Sequence, residues 1–345
     1  MRPRACGAPA VGLTAPLATA SLTTSPPERS AWPLHPADLP LSSATLGALE
    51  RAGLAPAALL TVVRAALEED LGERGDVTSA ATVGAKVTMA ARYVCREPGT
   101  VAGLPVLAAL VESCLGDAAA LDLLTADGQQ VAPGDVLAEV RGPARGLLAL
   151  ERPSLNLLGH LSGIATATRA WADAVAGTTA RIRDTRKTTA GLRDLEKYAV
   201  RCGGGVNHRR GLDDAVLIKD NHVVAAGGVG AALDGVQRAV CEGRLAADVV
   251  IQVEVDERRQ LDEALAHGAT QMLLDNFSLG NLADAVAHVR RRAPGVLLEA
   301  SGGLRLEIAA DVARTGVDFL AVGALTHSSR SLDIGLDSEL MGTGS

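Results

Sequence analysis

The chain has 345 residues and a net charge of −7, with 48% hydrophobic, 21% charged and only 2% aromatic residues. That is enough apolar material for one large or two ordinary domains built on Ala, Val and Leu. The acidic balance and the scarcity of aromatics argue against a nucleic-acid partner, which wants cationic surface and stacking platforms.

Five scattered cysteines without a CxxC pair give neither a disulfide framework nor a zinc cluster, and fit a reducing cytoplasm. No apolar run approaches the ~20 residues that span a bilayer, so no membrane is expected. Residues 1–55 are expected to be a disordered or mis-started tail, being rich in Ala, Pro, Ser and Thr over their first forty positions. A helix follows from about Ala57 to Glu68, then the alternating stretch "AKVTMAARYVCREPGTVAG", then a helix over Leu104–Gly116. Between Asp127 and Arg152, Gly and Pro punctuate short apolar runs, which predicts strands and tight turns. This half reads as an α+β domain. From Pro153 the pattern becomes helical.

After Gly177, strand-like runs alternate with helices. The strands are "ARIRDTRK", "AVLIKD", "VVIQVEV", "QMLLD", "GVLLEA" and "DFLAVG". The helices fall near Gly191–Cys202, Val224–Val240, Glu257–Ala266, Ala283–Arg292 and Arg305–Thr315. Nearly continuous apolar strands between helices predict parallel strands buried on both faces. A doubly wound sheet or a barrel fits this pattern. An incomplete (β/α) barrel of six or seven strands is preferred, because the strands end in Arg186 and Lys187, Lys219 and Asp220, Glu254, Asp275, Glu299 and then Ser301-Gly302-Gly303, and Val322-Gly323. In a parallel barrel these ends meet at one rim, where active sites are built.

Between Arg181 and His222 stand ten Lys or Arg against six Asp or Glu, a local cationic surplus in an acidic chain. Arg193, Glu196, Lys197 and Arg201 have the spacing of helix-surface charges, and Arg210 reads as a bystander. Arg186, Lys187, Arg209 and Lys219 sit at or beside strand ends and predict a ligand with several negative charges. Only four residues of the chain are lysines, and three of them lie between Lys187 and Lys219. Glu254 and Asp275, one strand apart, suit sugar hydroxyls, a divalent ion or a developing positive charge. The glycines after the last two strands have the position of a barrel phosphate site. His208 and His222 lack the spacing of a helical metal pair.

These residues carry a resemblance. "DTRKTTAGLRDLEKYAVRCGGGVNHRRGLDDAVLIKDNH" resembles the signature of the quinolinate phosphoribosyltransferases, also called nicotinate-nucleotide pyrophosphorylases (carboxylating). The likeness extends through "ERPSLNLLGHLSGIATATR", "VEVD", "LLDNF", "EASGG" and "DFLAVGALTHS", over roughly Ala57–Asp333. One departure is Ala190, where the family usually has Pro.

The resemblance implies an α/β-sandwich N-terminal domain (56–154 with a returning segment, 329–340) and an incomplete α/β barrel (155–328). It implies transfer of phosphoribosyl from 5-phosphoribosyl-1-diphosphate to quinolinate with loss of CO2, Mg2+ as cofactor, and a homodimer in which Arg152 reaches the partner's site. It places quinolinate on Arg152, Thr185, Arg186, His208, Arg209 and Lys219. Phosphoribosyl diphosphate and the transition state fall to Lys187, Glu254 and Asp275, and the phosphate to Ser301, Gly302, Gly303, Val322, Gly323 and His327. Three other readings are weighed: a Schiff-base lyase using Lys187 or Lys219, a biotinyl- or lipoyl-type carrier hairpin at "VAPGDVLAEVRG", and a paralogue with another acceptor.

Overall fold

The computed structural model describes residues 40–340. Helix α1 (Ser43–Ala52) starts on Ser42, whose side chain accepts the Thr45 N–H, and ends on Gly53 at φ 66. Residues 43–52, expected to belong to a disordered tail, are therefore helical. Leu49 and Ala52 are buried, and Glu112 accepts hydrogen bonds from the Ser42 N–H (3.0 Å), the Ser42 hydroxyl (2.9 Å) and the Thr45 hydroxyl (2.7 Å). The tail reading of residues 1–39 lies outside the described residues.

Helices α2 (Pro56–Leu71) and α3 (Val77–Thr82) follow, then strands β1 (Thr88–Cys95) and β2 (Gly99–Thr100), helix α4 (Leu104–Leu115), and strands β3 (Ala120–Leu123), β4 (Gln130–Val131) and β5 (Val136–Pro143). Helix α5 (Ala144–Ala174) runs through Pro153, so the strands and turns expected up to Arg152 end at Pro143. Gly146 looks like turn punctuation but serves packing: a Cβ there would come 2.6 Å from Leu115 Cδ2 on α4.

The second half consists of β6 (Arg181–Arg183), α6 (Arg193–Cys202), β7 (Val216–Ile218), α7 (Asp220–Ala226), α8 (Val229–Cys241), β8 (Ile251–Val255), α9 (Arg258–Ala266), β9 (Gln271–Asp275), α10 (Leu279–Arg292), β10 (Leu297–Ser301), α11 (Ala309–Arg314), β11 (Phe319–Ala321), α12 (Ala324–His327) and β12 (Ile334–Leu340). The single helix expected over Val224–Val240 is two, because Gly227 and Gly228 take φ 87 and 142.

Six strands form one parallel sheet in the order β6-β11-β10-β9-β8-β7, and β6 and β7 do not pair. The barrel is open between them. An isolated parallel bridge, Arg183 to Val206, partly fills the gap. The first half forms an antiparallel sheet, β12-β1-β5-β3, in which the C-terminal strand pairs with β1. On its way there the chain crosses α5 at Gly163, where a Cβ would meet the Arg330 carbonyl at 2.0 Å.

Register explains why the barrel rim is polar. Side chains alternate along a strand, and paired residues of parallel strands share a face. One face carries Ile182, Ile218, Val253, Val255, Met272, Leu274, Leu298, Ala300 and Leu320, all buried. The other carries Arg183, Gln252, Glu254, Leu273, Asp275, Glu299 and Ser301, because Glu254 and Glu299 both pair with Leu273, and Ser301 with Asp275.

Candidate active site

The floor of the open barrel is a buried polar network. Glu299, 1% exposed, accepts from Arg183 Nη1 at 2.6 Å and from Gln252 Nε2 at 3.0 Å. The Arg183 guanidinium stacks 3.5 Å over the Phe319 ring. His208 Nε2 donates to Gln252 Oε1 at 2.9 Å, while its Nδ1 accepts the Arg209 N–H at 2.7 Å. That pattern selects the neutral imidazole with its proton on Nε2. Burial pushes the ring's pKa down from its ordinary 6.5, and the Glu299 carboxylate opposes the shift.

Above this floor lie the predicted cations. Arg186 stands close enough to Arg209 to disfavour its charge. Burial, followed by Arg186, lowers the affinity of Arg209 for its proton. Arg209 Nη1 donates to the Ala215 carbonyl at 3.1 Å, but the Nε of both arginines is shielded from solvent and has no acceptor among the described residues. Two solvent-shielded guanidinium donors without an acceptor, side by side, suit an anionic ligand. Lys219 follows β7, is exposed, and lowers the pKa of Glu254. Burial outweighs it, and with help from Asp275 and Asp220 leaves the Glu254 carboxyl above its usual range. Lys219, Glu254 and Asp275 thus share one electrostatic neighbourhood.

The phosphate region also forms. Gly302 and Gly303 have φ 86 and 59, and a Cβ at Gly302 would strike Asn276 Oδ1 at 2.1 Å. Asn276 is the non-glycine residue at positive φ, 57, among the described residues. It gives its N–H to the Ser301 carbonyl and its side-chain amide to Asp275. Gly323 faces Lys187 and His327: a Cβ there would lie 3.0 Å from Lys187 Cδ and 3.2 Å from His327 Nε2. Thr326 of α12 donates to the Lys187 carbonyl at 2.7 Å, and Thr185 Oγ1 accepts the Lys187 N–H at 3.1 Å.

Three expectations change. Val322 offers a phosphate nothing, because its side chain is buried and its N–H donates to the Arg183 carbonyl at 2.9 Å. His208 has both ring nitrogens engaged by the protein, by Gln252 and by the Arg209 N–H, so neither is free for a ligand. Glu196 and Lys197 are not surface charges: they are 0% and 4% exposed. Glu196 accepts from the Thr189 N–H at 3.1 Å and pairs with His160 at 2.9 Å, while Lys197 bonds the equally buried Asp184 at 2.6 Å. Arg210 does grip Asp194 at the surface. Arg152 is exposed on α5, with no hydrogen-bond or ion-pair partner among the described residues.

Asp184, Lys197, Gln252 and Asn276 were missed by sequence reasoning. For Asp184 the signal was its parity: it falls on the face where its strand neighbours are apolar. For Asn276 it was residue type at a strand end, since Asn tolerates the left-handed region.

The model of the "Quinolinate phosphoribosyl transferase, C-terminal domain" family matches residues 164–337, and that of the corresponding N-terminal domain matches residues 76–162. The nicotinate-nucleotide pyrophosphorylase [carboxylating] of Mycobacterium leprae is 52% identical over 276 residues, covering 80% of this chain and 95% of the relative. A Bacillus subtilis protein named as a probable enzyme of the same kind is 42% identical, covering 79% and 90%. The solved structure of the nicotinate-nucleotide pyrophosphorylase from Francisella tularensis superposes with a TM-score of 0.77 at 34% identity, covering 83% of this chain and 98% of that one. With both halves matched in order on an open barrel whose rim holds clustered cations, the chain belongs to the quinolinate phosphoribosyltransferase family.

Proposed function

We propose that the chain transfers phosphoribosyl from 5-phosphoribosyl-1-diphosphate to quinolinate with decarboxylation, and that the rim divides the work as follows. The observation that carries this reading is the pair of orphaned guanidinium donors on Arg186 and Arg209. Quinolinate is a pyridine dicarboxylate, and two guanidinium groups that each keep a free Nε, beside Lys219, offer cationic donors to both of its carboxylates. Arg152 of a second subunit completes the site in a homodimer. Thr185 shapes the turn that presents Arg186 and Lys187.

In the reaction the pyridine nitrogen attacks C1 of the ribose as diphosphate leaves, and positive charge develops on the ring. Glu254 and Asp275 stabilise that charge, and Lys187 meets the phosphate oxygens. The 5′-phosphate takes the backbone N–H groups around Ser301, Gly302 and Gly303, with Gly323 and His327 beside it. The C2–carboxylate bond then breaks. Its electron pair stays at C2, next to the pyridinium nitrogen, and takes a proton from solvent as CO2 departs. No protein nucleophile is required.

Mg2+ fits this donor set as a substrate-borne ion. Among the described residues no group of three His, Cys, Asp or Glu could hold a metal, while Glu254 and Asp275 supply the one or two carboxylates that a phosphate-bound Mg2+ takes. The ion would neutralise the diphosphate as it leaves. Cys95, Cys114, Cys202 and Cys241 are free thiols, which supports a reducing cytoplasmic setting. A Schiff-base lyase would need a desolvated lysine. Lys187 and Lys219 are both exposed, and buried Lys197 is tied to Asp184.

The test supplies phosphoribosyl diphosphate with quinolinate or with nicotinate and measures CO2 and nucleotide. CO2 release with quinolinate is expected. Turnover of nicotinate in preference would assign the fold to another acceptor. Arg209→Ala should abolish quinolinate binding in a folded protein, and wild-type turnover in that variant would sink the site assignment.

A further inference from the structure

We propose that Asp184 and Lys197 form a buried positioning clamp for Arg209, acting through the backbone of His208. The proposal rests on the reading of Arg209 as a quinolinate ligand. Asp184 follows β6 directly, with its side chain beneath α6. Its Oδ1 accepts the His208 N–H at 2.7 Å and the Lys197 ammonium at 2.6 Å. Lys197 Nζ donates a second bond, to the His208 carbonyl, at 2.9 Å. One ion pair therefore holds both backbone polar groups of a single residue.

Asn207 widens the clamp. Its amide donates to Asp184 Oδ2 at 2.6 Å and to the Lys197 carbonyl at 2.8 Å. With the ring nitrogens of His208 held by Gln252 and by the Arg209 N–H, every polar group of His208 is fixed. The next residue, Arg209, inherits that placement, and its unpaired Nε is aimed by it.

A buried ion pair is poor evidence for stability. Desolvation consumes most of its Coulombic gain, and apolar replacements are often as stable. Here burial pushes the Asp184 carboxyl up and the Lys197 ammonium down, each opposed by its partner. A buried pair that makes three bonds to one short segment is better explained by what it orients than by net stability. Ligand-holding groups need placement to a fraction of an ångström, and a misplacement of about 1 Å costs on the order of 100-fold.

The experiment compares wild type, Arg209→Ala and the double variant Asp184→Asn/Lys197→Met, which removes both charges together and leaves no lone buried ion. KM for each substrate, kcat and the melting temperature are measured. The clamp predicts a quinolinate KM raised roughly 10- to 100-fold in the double variant, a phosphoribosyl diphosphate KM within about threefold, and a melting temperature within a few degrees. A quinolinate KM within about twofold of wild type would overturn it.

If the double variant does not fold, Asn207→Ala replaces it, with an expected quinolinate KM at least about threefold higher and the other KM unchanged. Unchanged values for both substrates would likewise overturn the clamp. Arg209→Ala separates the two layers of the argument. If that variant keeps a wild-type quinolinate KM, the site reading itself fails; if it loses binding while the clamp variants do not, only the clamp fails.

Discussion

At the residue scale, the site works by leaving some buried polar atoms unpaired and over-satisfying others. Arg186 and Arg209 each keep one shielded donor free, whereas His208 has none. The neutral state of His208 has a consequence for pH. Its pKa in the fold lies below the 6.5 of a free imidazole, so below that pH the unfolded chain takes up a proton that the buried ring refuses. Stability from this residue is complete above 6.5 and is lost as the pH falls from there toward the folded value. Melting curves between pH 7.5 and 5.5 should show a steeper loss in wild type than in His208→Gln, and parallel losses would mean that the ring titrates normally. Asp275 should behave differently, because the role proposed for it belongs to the transition state. Asp275→Asn is expected to lower kcat about 100-fold with little change in the KM for quinolinate. A change confined to KM would make it a substrate-binding group only.

At the scale of elements, the barrel strands were legible and the helix faces were not. "QMLLD" forms β9 residue for residue, four of the other five marked strands contain the observed one, and "GVLLEA" stops one residue short of the end of β10 at Ser301, because apolar runs between helices leave a parallel sheet few alternatives. Charge misled at α6. Glu196 and Lys197 follow the spacing of a solvated face, yet that face lies beneath the β6 loop and the Asn207–His208 segment, whose partners are distant in sequence. The tail misled for the opposite reason: its composition is that of a linker, but Leu49 and Ala52 find a surface on the first domain. The anchor of α1 is testable. Glu112→Ala removes the acceptor of three hydrogen bonds from Ser42 and Thr45, which should cost about 1–3 kcal/mol in urea unfolding. It should also speed amide exchange across Ser43–Ala52 with kcat unaltered. Unaltered exchange there would show that apolar contacts alone dock the helix.

At the scale of the whole molecule, the proposed homodimer turns on Arg152. It is exposed on α5 and its side chain has no hydrogen-bond or ion-pair partner among the described residues. A cation standing free on the first domain and a dianion site on the barrel rim are complementary if two copies exchange them across a twofold axis, the commonest symmetry of homo-oligomers. The arrangement has a signature that a monomeric site cannot reproduce. Arg152→Ala and Arg209→Ala should each be inactive as homodimers. When the two are unfolded together and refolded, about half of the dimers should be mixed by random pairing. In a mixed dimer one site collects both substitutions, and the other receives an intact Arg152 from one subunit and an intact Arg209 from its neighbour. That second site should be fully wild type, so the mixture should regain about a quarter of wild-type activity from two inactive parents. If Arg152 instead served its own subunit, every site in every dimer would carry one lesion, and mixing would restore nothing.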